Sequence, residues 1–412
     1  MIQTVLIALA VFLAVILLLV AALLVLRAKL MPGGNVELTI NDDKKLTVET
    51  GNSLISTLAE HEVYLPSACG GKGSCGQCKC QVLSGGGDIL PTEKGFFTRK
   101  QQQENWRLGC QVKVKEEIAI AVPQSILSIK KWECEVVSSH NVSTFIREFT
   151  VRLPEGENLV FQSGDYIQID IPKCEVRYRD MEVDEQYRSD WDRFGMWDLV
   201  MKNPEPCTRA YSMANHPAEG NIVTLNVRIA TPPFDRKRGG FAKVNPGVSS
   251  SYIWSLKPGD KVRLSGPYGE FHIKDTDKEM MFIGGGAGMA PMRSHIFHLF
   301  KTLHTQRKVS FWYGGRSLKE LFYTDEFEQI AAENPNFQFN IALSEPLPTD
   351  NWDGYTGFIH QVIFDNYLKN HPEPEEIEYY LCGPGPMTAA ATKMLDSLGV
   401  PKENIMFDDF GN

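Results

Sequence analysis

The chain opens on an apolar run, residues 2–26, that holds no charged residue and is followed at once by Arg27 and Lys29. As a helix rising 1.5 Å per residue, such a run reaches roughly 37 Å, enough to cross a bilayer. A cleaved signal peptide needs a basic start, a shorter apolar stretch and a small-residue cleavage site, so the pattern predicts an uncleaved membrane anchor. The two cations at its end put everything from Met31 onward on the cytoplasmic side.

After a Pro32-Gly33-Gly34 hinge, residues 35–41 and 45–50 alternate apolar and polar positions and predict two strands joined by an Asn41-Asp42-Asp43 turn. Residues 53–62 predict a helix, a glycine-rich cysteine loop follows, and 79–84 and 118–122 predict further strands of one β-rich unit. From Trp132 the strands carry more β-branched residues, at 133–137, 146–153, 166–171 and 222–229, the spacing of an antiparallel barrel. Between Cys174 and Cys207 lies an insertion rich in acids and arginines, with Trp191 and Trp197, whose lack of periodicity reads as a surface loop or a docking segment. From Glu279 strands (280–283, 309–313, 337–343, 377–382) alternate with helices (289–303, 322–333, 388–398), which requires crossovers and a parallel sheet. The division that follows is 1–30 anchor, 31–128, 129–274 and 275–412.

A length of 412 residues is too long for one ordinary core, and a net charge of -9 argues against nucleic acid as a partner, which wants a basic face. Of nine cysteines, Cys69, Cys75, Cys78 and Cys80 crowd into twelve residues. An odd, clustered set points to metal ligation over a disulfide framework.

Cys69-x5-Cys75-x2-Cys78 followed by a distant Cys110 is a spacing that suits four-thiolate ligation of two bridged irons. Gly70, Gly71, Gly73 and Gly76 let the loop curl and turn N–H groups toward sulfur. Structural zinc is the alternative, but it prefers two Cys-x2-Cys pairs and only one is present. Cys80 falls outside the four.

Arg209-Ala210-Tyr211-Ser212 places an arginine fork and an aromatic ring two apart on one strand face, suited to a phosphate and a flat ring. Gly247, Val248, Ser249 and Ser250 then open a helix, whose free N–H groups attract phosphate. Together they point to FAD, with Ser212 near the flavin N5. Gly284, Gly285, Gly286 and Gly288, with Pro291 behind them, lie between a strand and a helix and allow close approach of a dinucleotide pyrophosphate. The pattern is not G-x-G-x-x-G with a following acid. Two further glycine-rich strand ends, at Tyr313-Gly314-Gly315-Arg316-Ser317 and Cys382-Gly383-Pro384, belong to the same sheet edge.

These sets resemble ferredoxin-NADP reductase-like flavoproteins fused to a plant-type ferredoxin domain. With the anchor first, the resemblance is to the F subunits of the Na+-translocating NADH:quinone oxidoreductases, and it covers essentially the whole chain. It implies a multidomain protein: a single transmembrane helix, an α+β ferredoxin-like (β-grasp) domain, an antiparallel β-barrel FAD domain and an α/β parallel-sheet NADH domain. It implies that Cys69, Cys75, Cys78 and Cys110 hold a [2Fe-2S] cluster. Arg209, Tyr211, Ser212, Gly247, Val248, Ser249 and Ser250 would hold FAD. Gly284, Gly285, Gly286 and Gly288 would carry NADH, with Arg316 and Ser317 near the ribose and Cys382, Gly383 and Pro384 near the nicotinamide. Phe410 matches an aromatic that covers the flavin and moves aside. Ser212, Cys382 and Phe410 are thus the expected catalytic set. A bacterial inner-membrane location and partner subunits of a respiratory complex are further implications.

A hydride carries two electrons and the cluster accepts one, so the flavin is the converter. His216 and His360 read as packed or solvated. Two alternatives stand: the reductase component of an oxygenase, which shares the domain order but is usually soluble, and a non-catalytic carrier that binds no dinucleotide. A single membrane segment supplies no ion pathway, so sodium movement would belong to partners.

Overall fold

The computed structural model describes the chain except Met1, Met31, Pro32, Ala68, Arg236, Arg238 and residues 409–412. In the helix Ile2–Leu30 the described side chains are those of residues 7, 9–23 and 25, all exposed. Among the described residues no helix is long and apolar enough to cross a membrane. The chain divides into two compact units, Met1–Ile129 and Lys130–Asn412.

In the first unit a five-stranded sheet runs in the order Lys44–Glu49, Asn35–Ile40, Ile118–Ala121, Lys79–Ser84, Trp106–Leu108. Asn41 and Asp42 take φ of 52° and 58°, the left-handed turn predicted between the first two strands. Ile118–Ala121, the last strand of this unit in chain order, is central in the sheet, parallel to Asn35–Ile40 and antiparallel to Lys79–Ser84. The Asn41 side chain fixes this pairing, donating to Val122 O at 3.0 Å and accepting from Val122 N at 2.8 Å. Helix Leu54–Glu60 starts at Ser53, whose Oγ accepts from Ser56 N, and it buries Leu54, Thr57 and Leu58.

The second unit begins with a six-stranded antiparallel sheet in the order Cys207–Ser212, Tyr166–Ile171, Lys261–Tyr268, Lys130–Ser143, Ile146–Arg152, Ile222–Arg228. Its outer strands meet at a Met213–Leu225 bridge, backed by Ala214 N donating to Thr224 O at 2.7 Å, so the sheet curls on itself. Lys130–Ser143, 14 residues long, far exceeds the predicted 133–137. Its second half carries mostly polar residues, with Asn141 and Ser143 buried among them, which hides its length from a search for apolar runs.

A six-stranded parallel sheet follows, ordered Tyr355–Thr356, Phe337–Leu343, Val309–Gly315, Met280–Gly285, Glu378–Cys382, Ile405–Asp408. Its central strands are buried on both faces, as crossover helices require. Phe282, Phe311 and Tyr380 pack with helix Met289–Phe297, whereas Met281, Trp312 and Tyr379 pack with helices Ile359–Asn366 and Gly385–Ser397.

The insertion is not a structureless surface loop. Cys174–Arg177 pairs antiparallel with Val200–Asn203, and helix Glu185–Phe194 stands between them. Trp191 is fully buried, stacked on Trp254 at 5.3 Å, and its Nε1 donates to Thr144 O at 2.9 Å. The helix is apolar only at Tyr187, Trp191 and Phe194, a narrow i, i+4, i+7 stripe that the surrounding charges obscure.

Candidate cofactor and nucleotide sites

The cysteine loop, 69–78, is built on four glycines at positive φ: Gly70 (65°), Gly71 (81°), Gly73 (78°) and Gly76 (68°). At Gly76 a Cβ would lie 2.3 Å from the Phe96 ring, and at Gly73 the φ of 78° is one that side-chain-bearing residues rarely adopt, so both positions favour glycine. The four sulfurs stand as two pairs. The Cys75 thiol donates to Cys69 Sγ at 3.3 Å, and the buried Cys78 thiol donates to Cys110. Each pair holds one sulfur toward thiolate. The Cys75 hydrogen bond draws Cys69 down to about 3 and the Cys78 hydrogen bond draws Cys110 down to about 7, while Cys75 and Cys78 are pushed up. Among the described residues no three His, Cys, Asp or Glu side chains converge on a single-metal site. Two sulfur pairs suit two metal ions with two thiolates each better than one ion with four. Cys80 is fully buried, its thiol facing Arg107 O, and burial pushes it up to about 12.

Cys110 follows strand Trp106–Leu108, which rests on a buried ion pair that sequence reading missed. The Arg107 fork meets both Glu93 oxygens at 2.8–3.1 Å and donates to Gly86 O and Gly87 O, while Glu93 accepts from Leu108 N at 2.9 Å. A Glu and an Arg 14 residues apart give no pattern that a sequence search would single out.

In the second unit, Arg209, Tyr211 and Ser212 lie opposite Ile169, Ile167 and Tyr166. Residues Cys207 to Tyr211 are all half-buried, unlike the alternating or wholly buried barrel strands, so this strand presents a partly uncovered face. The Tyr211 hydroxyl donates to Ser249 Oγ at 2.9 Å, which brings the strand motif and the helix start Gly247, Val248, Ser249, Ser250 together. Gly247 is needed for closeness, since a Cβ there would meet Ala230 Cβ at 2.5 Å. Burial pushes Tyr211 up to about 12, so it stays a neutral ring. A neutral ring beside an arginine and an open helix N-terminus fits a pyrophosphate-bearing flavin.

At the parallel sheet's carboxyl edge, Gly284 lies in register with both Tyr313 and Cys382, and Gly285 with Gly314. A Cβ on Gly288 would fall 2.2 Å from Cys382 O, so glycine alone lets the loop lie against that strand end. Ser317 is buried, and Arg316 is exposed and paired with Glu345 at 2.6 Å. A cavity of about 700 Å³ runs along this edge and includes Gly285, Gly286, Arg316, Ser317 and Pro384. Such a volume suits a dinucleotide.

Ser212 crosses to the same edge: its hydroxyl donates to Asp408 Oδ2 at 2.5 Å, and Asp408 stands opposite Cys382 in strand register. Asp408 is a second residue that the sequence did not single out, because its role appears only once the last strand is placed beside Cys382. Phe410 lies outside the described residues. His216 is buried against Phe297, and His360 is half-buried in the lining of the nucleotide cavity.

Three families match in chain order: "2Fe-2S iron-sulfur cluster binding domain" over residues 38–115, "Oxidoreductase FAD-binding domain" over 193–273 and "Oxidoreductase NAD-binding domain" over 282–393. The F subunit of the Na(+)-translocating NADH-quinone reductase of Pseudomonas aeruginosa (strain UCBPP-PA14) is 55% identical over 98% of both chains. A protein of the same name from Actinobacillus succinogenes is 54% identical over 97% of both. The chain belongs to the family of F subunits of Na(+)-translocating NADH-quinone reductases.

The solved structure of an Amycolatopsis cytochrome P450 reductase covers 91% of this chain and 98% of its own, at 22% identity and a TM-score of 0.63. A ferredoxin reductase in carbazole 1,9a-dioxygenase covers 92% and 99%, at 24% and 0.59. At that identity these relatives of the oxygenase type share the fold alone, and the family assignment rests on the NADH-quinone reductase relatives. The sequence fits a [2Fe-2S] cluster, FAD and NADH as the bound groups.

Proposed function

We propose that this chain is the electron-input component of a membrane-bound Na+-translocating NADH:quinone oxidoreductase, oxidising NADH and delivering single electrons toward quinone through partner subunits. The observation that carries the reading is the Ser212–Asp408–Cys382 line, because it joins the flavin-type strand to the nucleotide-type sheet edge. When bound, FAD would supply the conversion of one hydride, with its two electrons, into single electrons that a two-iron centre takes one at a time.

The protein's own residues bind and orient. Cys69 with Cys75 and Cys78 with Cys110 are the sulfur pairs for the cluster. Arg209 offers a fork for flavin phosphate, Tyr211 a ring face, and Gly247 to Ser250 free N–H groups. Gly284, Gly285, Gly286 and Gly288 let the dinucleotide backbone lie close, Arg316 and Ser317 face its ribose, and Gly383 and Pro384 end the strand beside Cys382. Ser212, its hydroxyl held by Asp408, would help to orient the flavin against the nicotinamide, and such orientation contributes to the rate. The same reading gives Phe410, outside the described residues, the role of a flavin cover that gives way to nicotinamide. The domains are read as 1–30, 31–128, 129–274 and 275–412.

Helix Ile2–Leu30 is read as a single-pass anchor in the bacterial inner membrane, with Arg27 and Lys29 and the remaining chain on the cytoplasmic side. Ion movement is left to partner subunits. The test is anaerobic NADH added to purified protein: the flavin band bleaches and ferricyanide is reduced. A protein that binds FAD yet is not bleached by NADH contradicts the proposal.

A further inference from the structure

Helix Glu185–Phe194, carried by the insertion, has two faces with different tasks. Tyr187 and Trp191 point into the barrel core. Asp190 and Arg193, three residues apart on the flank of that face, line the nucleotide cavity, and Phe194, packed at the margin of the barrel core, lines it with them. The helix is fixed there from both lobes of the second unit. Asp190 pairs with Lys319, Trp191 Nε1 donates to Thr144 O, the Thr144 hydroxyl donates to Glu320, and Phe194 packs edge-on against Phe145 at 5.9 Å.

The charges at this cavity are unevenly matched. Asp190 is taken by Lys319, Glu345 by Arg316, and Glu320 is held by the Thr144 hydroxyl. Arg193 and Arg228 also line the cavity, and among the described residues neither has a carboxylate within ion-pair distance. Arg193 is exposed, with its guanidinium 5.4 Å from the centroid of the Phe194 ring, so closing on a ligand breaks no ion pair. A fork of this kind in the same cavity as Gly285 and Gly286 is suited to a pyrophosphate, which carries one negative charge on each phosphate.

We propose that Arg193 binds the pyrophosphate of the nicotinamide dinucleotide, so that the insertion forms the outer wall of the NADH pocket and sets substrate affinity from outside the nucleotide fold. The inference rests on the NADH reading given above. It gives the 174–207 segment a role in substrate binding that its composition does not reveal. Arg193 is a binding residue and not a reacting one, so its loss moves KM and not the chemical step.

The experiment uses the full chain with bound FAD and follows NADH-driven flavin bleaching, with ADP-ribose and adenosine as competing ligands that differ in the pyrophosphate. Arg193→Gln is expected to raise the NADH KM and the ADP-ribose inhibition constant about tenfold, the size of one lost charge-assisted hydrogen bond. It should leave the adenosine constant within about twofold and flatten the dependence of KM on ionic strength. Arg193→Lys is expected to recover part of the loss. An unchanged ADP-ribose constant overturns the inference while leaving the NADH reading intact. An adenosine constant that rises in parallel overturns it too, since the pocket wall would then have collapsed. A wild-type flavin that NADH fails to bleach removes the NADH reading and the inference with it.

Discussion

The Ser212 hydroxyl and the Asp408 carboxylate, 196 positions apart in the chain, are joined by a hydrogen bond of 2.5 Å. Asp408 in turn stands beside Cys382 on the adjacent parallel strand. A carboxylate accepting from the serine fixes its rotamer and ties the two lobes of the second unit at the point where hydride transfer is proposed. Asp408→Ala frees that hydroxyl, and an offset of about 1 Å at a reacting centre costs on the order of a hundredfold. Stopped-flow flavin reduction at saturating NADH is expected to slow by about ten- to a hundredfold, with KM within about threefold. An unchanged rate would separate Asp408 from the reaction.

The buried Glu93–Arg107 pair supports the strand that delivers Cys110. Removing one partner leaves the other charged and buried, at a cost of about 3–5 kcal/mol. Arg107→Met is therefore expected to destabilise the first unit by that order and to lower bound iron. Glu93→Met with Arg107→Met together should cost less than Arg107→Met alone. Urea unfolding and iron content per chain check both statements.

His295, fully buried between Phe271, Phe282 and Tyr380, is held down to about 3 because burial disfavours its charged form. Unfolded, the imidazole titrates near about 6.5. As pH falls below that value the unfolded chain binds a proton that the fold does not, so stability is intact above it and drains away between about 6.5 and 3. The slope approaches about 1.4 kcal/mol per pH unit. His295→Asn, measured by urea midpoint at two pH values across the upper part of this window, should show a shallower acid loss than wild type. Equal slopes would exclude His295 as the source.

Loss of the N-terminal helix is expected to separate anchoring from chemistry. A chain lacking residues 1–30 should leave the membrane fraction and still be bleached by NADH. Retention on membranes after the truncation would count against the anchor.

Much of this architecture is legible in the residues because the relevant signals are local. The cysteine spacing, the glycine-rich strand ends and the period-two strands each depend on neighbours a few positions away. What escaped reading depends on distant partners. Asp408 acquires meaning only beside Cys382, Glu93 only beneath Arg107, and Arg193 only when its helix lies against the nucleotide cavity. The insertion was obscured for a different reason: three apolar positions among many charges suffice to dock a short helix when one of them is a tryptophan that stacks on Trp254. The strand 130–143 shows the same limit, since its second half buries polar residues, Asn141 and Ser143, that carry no apolar signal.

The central claim is that electrons from NADH reach a two-iron centre held by Cys69, Cys75, Cys78 and Cys110 by way of the flavin. Its most direct test is the EPR spectrum of protein frozen after anaerobic NADH addition, compared between wild type and Cys75→Ala. The account predicts an S = 1/2 iron signal in wild type, and in the variant a bleached flavin with that signal gone. A bleached flavin with no iron signal in iron-loaded wild type, or an undiminished signal in Cys75→Ala, would contradict it.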